Sequence, residues 1–279
     1  MREVLRMLIS ATVKQTRFLL RRRGAVATFL LLLALVLLNF TYNVLEFRGH
    51  DLLSMYQPMK LLSLSYNRTN WNADSALRLI QLFPLLVSLP AGLSLAAEQQ
   101  SGEEVLLASR LGHRTYLFSR YLAAFLVTAL VFVLPFLIEI ALNCISFPLQ
   151  AEGDFMNYSI YDVELHISEA AYQFPWLYQL SPYLYAVVCT LYFGAAAGVF
   201  GGLTLALSAL WRVRFRVLLL LPVFIGLQAA SLLNMCWYNS LLLFCDLPRN
   251  DLVFGLLLLL ILGLSLLAVG HASRKDCLR

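Results

Sequence analysis

Two short stretches of this chain hold polar residues at spacings that set a geometry. One is the pair Glu139 and Asn143. The other is the run EQQSGEEVLLASRLGHR, Glu98 to Arg114. Glu139 and Asn143 are four residues apart, so on a helix they share a face. There a carboxylate and an amide could line an exit path or receive a substrate head group. The alternative is a glutamate that reaches the aqueous boundary from the end of a helix. In the longer run, Ser101-Gly102-Glu103-Glu104 fits a capping box: the Ser101 hydroxyl accepts from the Glu104 N–H, and the Glu104 carboxylate reaches back to the Ser101 N–H. Glu103 and Glu104 suit the positive end of a helix dipole and Arg110 the negative end, while Gly112 is placed as a stop. The spacing predicts a helix over Gly102 to Leu111 that presents Val105, Leu106, Leu107 and Leu111. So short a helix is marginal in water alone, so it should dock on lipid or on another protein.

No catalytic set accompanies these residues. The histidines, His50, His113, His166 and His271, are scattered, and the five cysteines form no CxxC. No four ligands have metal-site spacing, so no metal is expected. Cys236 and Cys245 bracket a turn and would pair in an oxidising compartment; buried thiols are the alternative. Asn67-Arg68-Thr69 and Asn157-Tyr158-Ser159 match the short glycosylation pattern. A G-x-x-x-x-G-K-[ST] phosphate loop is absent, so ATP chemistry of that kind is not expected of this chain.

The composition explains why polar residues are scarce. Of 279 residues, 60% are hydrophobic and 13% charged, and mean hydropathy is +0.74. Soluble domains carry about 25% charged residues. This is a membrane composition. The net charge of +5 does not argue for nucleic acid, because the basic residues sit beside apolar runs. The start, MREVLRMLISATVKQTRFLLRRR, lacks a compact apolar core followed by a small-residue cleavage site.

A spanning helix needs about 20 mostly apolar residues. Six segments qualify: Ala25 to Asn43, Leu77 to Ala97, Tyr121 to about Phe147, Pro182 to Leu210, Val217 to about Cys236, and Leu252 to about Ala272. Runs such as LLLALVLL do not alternate as barrel strands do. The fold class is therefore an all-α integral membrane protein with six transmembrane helices. Basic residues orient it. Residues 1–23 carry seven Lys and Arg, and three more fall in each of the second-to-third connection, the fourth-to-fifth connection and the tail. Only Arg48, Lys60, Arg68, Arg78 and Arg249 fall on the other side. Both termini are expected in the cytoplasm. Val4, Leu5, Leu8, Ile9, Thr12 and Val13 recur at helical spacing, so residues 1–23 read as an interfacial amphipathic helix, followed by a six-span domain over 24–279. Pro84, Pro90, Pro135 and Pro222 sit inside spans, where membrane helices tolerate them as kinks. The small residues of GAAAGVFGG, Gly194 to Gly202, favour close helix contact.

The run Ala96 to Phe125, AAEQQSGEEVLLASRLGHRTYLFSRYLAAF, resembles the segment between spans two and three of type-2 ABC export permeases. There a Glu closes span two, a Gly follows, then a short helix, a basic turn, and a Lys or Arg leading into span three. Glu98, Gly102, Val105 to Ser109, Gly112 to Arg114 and Arg120 fill those places. Glu103 stands where a Thr is frequent, and no Pro precedes the basic turn. The resemblance implies that this short helix is a cytoplasmic coupling helix gripped by a separate ABC ATPase subunit. The contact would draw on Glu98, Ser101, Gly102, Glu103, Glu104, Val105, Leu106, Leu107, Arg110, Gly112, His113 and Arg114. ATP and Mg would be bound by that partner, with no cofactor in this chain. A second permease copy, identical or related, would complete the path in a cell membrane, the cytoplasmic membrane of a bacterium. The chain itself would be non-catalytic. Its cargo, an amphipathic peptide, drug or lipid, would follow faces of spans one, two and five. Two other classes remain open: a membrane scaffold or sensor working with an ATPase, and a partner-independent channel or secondary carrier, which would show paired midplane charges or matching broken helices.

Overall fold

A computed structural model describes residues 2–50, 55, 57–66, 73–148, 173–211, 215–232, 237–245 and 250–274. Among these the regular elements are helices, and the one pairing of extended backbone is an isolated bridge between Tyr66 and Cys245. The helices are α1 (Arg2–Leu20), α2 (Arg23–Glu46), α3 (Ala73–Leu86), α4 (Ser94–Ser101), α5 (Glu103–Leu111), α6 (His113–Ser146), α7 (Pro175–Leu180), α8 (Pro182–Leu210), α9 (Leu220–Leu232) and α10 (Asp251–Ala272).

Four of them, α2, α6, α8 and α10, are long and apolar enough to cross a membrane. The bounds of α8 follow from its ends: Pro182 takes the first helical position, where its missing N–H is not needed, and the Ser181 hydroxyl accepts from the Leu184 N–H. At α10, Asn250 Oδ1 accepts from the Val253 N–H at 3.2 Å, and Asp251 suits the dipole of the first turn.

The second expected span is not one helix. It runs as α3, a turn over 87–93, and α4. Two prolines six residues apart cause this. Pro84 offers no N–H to the helix, and Pro90 disfavours the helical conformation at Leu89. Ser88, between them, bonds outward to Thr204 of α8 at 3.0 Å. The fifth expected span begins as a 3-10 turn over Arg216–Leu219 leading into α9, and its last four residues, 233–236, lie outside the described residues. The third begins eight residues earlier than its apolar run, because α6 extends through the polar stretch from His113.

The core is built on α6 and α8. Close approach is allowed by glycine: a Cβ on Gly201 would lie 2.6 Å from Thr128 Oγ1, and one on Gly194 would overlap Val133 Cγ2. Phe83, Phe132, Phe136, Phe193 and Phe200 fill the space beside this seam, with ring centroids 5.4–5.8 Å apart, as edge-to-face and tilted aromatic pairs do. Helices α1 and α2 pack on α6, α10 packs on α8 and α3 on α9. Tyr121 and Ser265 share a hydrogen bond of 2.6 Å that ties α6 to α10.

Helix α6 has 34 residues, a length of about 51 Å, against a hydrocarbon core of about 30 Å. It is therefore longer than that core, and α5 joins its N-terminal end. At the opposite end, residues 57–65 and 239–245 fold inward and are buried. Tyr66 N–H donates to Phe244 O at 2.8 Å and Leu243 N–H to Leu64 O at 3.0 Å. The glycosylation matches and the Cys236 half of the suggested disulfide lie outside the described residues.

Candidate functional site

At the α5 end, the chain turns twice on glycine. Gly102 sits at φ +77°, ψ 0°, in the left-handed region, and separates α4 from α5. Gly112 sits at φ +78°, ψ 135°, and separates α5 from α6 while its N–H closes on Ala108 O. Between them α5 is nine residues long. The stop at Gly112 is where the sequence puts it. The start is not, and the capping box is absent. Ser101 is the last residue of α4 and its hydroxyl donates to Glu98 O at 3.2 Å, while the N-cap of α5 is Gly102, with no side-chain bond. A left-handed residue at 102 ends one helix and starts the next, so Ser101 is turned away from the Glu104 N–H.

Of the candidate docking residues, Val105, Leu106 and Leu107 are exposed, Leu106 most at 67%. Glu103, Arg110 and Arg114 are also exposed, His113 is half-buried, and Glu104 is buried. Large apolar side chains held in the open on a rigid, doubly delimited helix make an unpartnered face.

Glu98 belongs to the structure beneath this face. It is fully buried and gathers three helices. Arg22, between α1 and α2, donates from Nη2 to Glu98 Oε1 at 2.7 Å and from Nη1 to Ser94 O at 3.3 Å. Arg120 of α6 donates from Nη2 to the same Oε1. The Tyr116 hydroxyl donates to Oε2 at 2.6 Å. The Phe18 ring of α1 lies 5.1 Å from the Arg22 guanidinium and 5.9 Å from that of Arg120. One carboxylate of α4 thus holds two guanidinium groups beside an aromatic face and ties α4 to α6 and to the junction of α1 and α2. Arg22 and Tyr116 were not singled out from sequence. The available signal was that Arg120, at the mouth of an apolar run, needs an anion.

Glu139 and Asn143 come together at the other end of α6, 19 residues or about 28 Å from Arg120. Both are fully buried by protein. Glu139 Oε1 accepts from Asn39 Nδ2 at 2.7 Å, from the Ser63 N–H at 2.8 Å and from Ser63 Oγ at 2.6 Å. Asn143 Nδ2 points to Pro58 O at 3.4 Å. Glu139 thus neither faces lipid nor reaches the aqueous boundary; it fastens the inward-folded segment 57–66 to α2 and α6. Lys60 of that segment is buried with Nζ 5.5 Å from the Phe244 ring. Among the described residues there is no group of three or more His, Cys, Asp and Glu placed to hold a metal ion.

No protein-family model, curated protein or solved structure matches this chain.

Proposed function

We propose that this chain is the membrane-spanning subunit of an ATP-driven exporter of the type-2 ABC kind, and that α5 is its coupling helix. The observation that supports this reading is the exposed apolar face of α5, held between the two positive-φ glycines and seated on the buried Glu98–Arg22–Arg120 cluster. A connecting loop has no need of two caps, three exposed aliphatic residues and an anchored base.

On this reading the chain crosses a cell membrane six times, with α3–α4 as a broken second span and the 3-10 turn with α9 as the fifth. The distribution of basic residues places both termini and α5 in the cytoplasm. ATP and Mg bind to a separate ATPase chain, whose closure pushes α5. The push passes through Glu98 to the foot of α2 and the start of α6, and two permease copies rock about their shared path. The buried segments 57–66 and 237–245 at the far end close the outer side until then.

Co-expression with an ABC-type ATPase from the same genome tests this. Affinity capture of the chain brings down the ATPase, and the pair hydrolyses ATP. Leu106→Asp, at the most exposed position of α5, abolishes capture while the chain still inserts in the membrane. Capture unchanged by Leu106→Asp, or substrate movement in liposomes by this chain alone, overturns the proposal.

A further inference from the structure

A cleft of about 570 Å³ lies between α1 and α5, in the size range of small-molecule sites. One continuous stripe of α1 forms its long wall. Arg6, Ser10 and Lys14 recur every four residues there, with Met7, Ala11 and Phe18 beside them. From Arg6 to Phe18 that wall runs about 18 Å. The opposite wall is the i, i+4, i+8 stripe of α5, Glu103, Leu107 and Leu111. Positions 105 and 109 lie on the opposite arc of α5, and 106 on its flank, about 100° from the centre of that stripe, given 100° per residue. The cleft therefore leaves Val105 and Leu106 to the face proposed to meet an ATPase and shares Leu107 with it.

The lining combines apolar surface with positive charge. Arg6 and Lys14 contribute two open cations against the one carboxylate of Glu103, and the third, Arg120, is paired with Glu98. Arg120 is 1% exposed. Its Nη2 is taken by Glu98, but its Nε–H is buried with no acceptor. Gln15 also lines the cleft, and its Oε1 is buried with no donor. A buried donor without a partner is costly, and here it accompanies an acceptor in the same state. Both atoms are enclosed by protein, so a ligand in the cleft meets the open cations Arg6 and Lys14: it offers an anionic head group attached to a hydrocarbon body that covers Met7, Phe18, Leu107 and Leu111. Basic pockets beside membrane helices take acidic lipid head groups in this way.

We propose that the α1–α5 cleft binds one acidic phospholipid, drawn from the leaflet at the α5 end. Its phosphate meets Lys14, with Arg6 further along the same wall, and an acyl chain follows the apolar side chains. Such a lipid would brace α1 against α5 whether or not an ATPase docks on the far face of α5.

Native mass spectrometry of the full chain, purified in a neutral detergent, tests this with phosphatidylglycerol and phosphatidylcholine as probes. Phosphatidylglycerol is retained as one molecule per chain in preference to phosphatidylcholine. Lys14→Ala lowers its retention about fivefold, the expected effect of one basic residue near an anionic head group. Ser10→Trp, which fills the cleft from an exposed position, removes it. Arg17→Ala takes the same charge from a part of α1 outside the cleft and leaves retention unchanged. Equal loss with Arg17→Ala would mean surface attraction alone, and overturns the site. So does retention that survives Ser10→Trp. Inorganic phosphate that displaces the lipid as readily as a second lipid does would make this an anion site, which also overturns it.

Discussion

Arg22 Nη2 lies 2.7 Å from Glu98 Oε1, across 76 residues of chain. Glu98 is fully buried, whereas the Arg22 side chain keeps 25% of its surface. The second guanidinium on that oxygen, Arg120, is as buried as the carboxylate. The three charges are thus unequal in what their removal exposes. Glu98→Ala leaves Arg120 buried without an anion and is expected to cost about 3–5 kcal/mol. Arg22→Ala leaves Glu98 with Arg120 and Tyr116 and is expected to cost about 1 kcal/mol, as for a partly exposed pair. Thermal unfolding of the two variants in detergent gives the order. Equal losses would mean that Arg22, not Arg120, carries the cluster.

The two glycines that delimit α5 differ in ψ, and this sorts their substitutions. Gly102, at φ +77° and ψ 0°, is in the left-handed well that Asn also visits. Nothing lies within 4 Å of a Cβ built there. Gly102→Ala is expected to cost about 1–2 kcal/mol, and Gly102→Asn clearly less. Gly112, with ψ 135°, is outside that well, near the region open to glycine alone. Gly112→Ala and Gly112→Asn are expected to cost alike, about 2–3 kcal/mol. Stability measured for the four variants checks this. Rescue by Asn at 112 but not at 102 would invert the assignment.

How far the fold is legible in the sequence depends on whether the signal is local. Helix α8 spans Pro182–Leu210 as expected, because its cap, its proline and its apolar run are all within the segment. The Gly112 stop is local too. The break in the second span was only half legible: Pro84 and Pro90 were visible, but a single proline is tolerated in a membrane helix, and two six residues apart are not equivalent to one. Ser101 satisfied the pattern of a capping box, yet Gly102 assigned it to the preceding helix. The contacts of Glu98 and Glu139 were beyond reach, since Arg22 and Asn39 come from 76 and 100 residues away. Residues 57–66 looked like a connection, and their burial follows only once Glu139 and Ser63 are seen to bind.

The α6–α8 seam predicts a compensating pair. A methyl on Gly194 would overlap Val133 Cγ2, with Ala129 O at 3.1 Å behind it. Valine is stiff at χ1, so the clash is not relieved by rotation. Gly194→Ala is expected to cost about 1–3 kcal/mol by overpacking. Val133→Ala alone loses buried methyls. Together the two changes cost less than their sum, with a coupling of at least about 0.5 kcal/mol. A double-mutant cycle on unfolding measures it, and strict additivity would show that the helices simply move apart.

At the far end of α6 the hydrogen-bond inventory makes an unusual prediction for Glu139. Its Oε1 accepts three donors, from Asn39 and Ser63. Its Oε2 and Asn143 Oδ1 are both buried and accept none. Glu139→Gln keeps a carbonyl oxygen for the three donors and replaces the idle acceptor with an N–H₂ group, placed four residues before the idle amide oxygen of Asn143. It also removes a buried carboxylate. Glu139→Gln is therefore expected to leave the unfolding temperature unchanged or raise it. Glu139→Ala leaves the same donors without an acceptor and is expected to cost at least about 3 kcal/mol, at about 1–3 kcal/mol for each of the three buried donors left unmade. Because Ser63 sits on the inward-folded segment, Glu139→Ala should also expose residues 57–66 to limited proteolysis, whereas Glu139→Gln should not. If Gln and Ala are equally damaging, the negative charge itself is needed at 139, and the three donors are not what holds the segment in place.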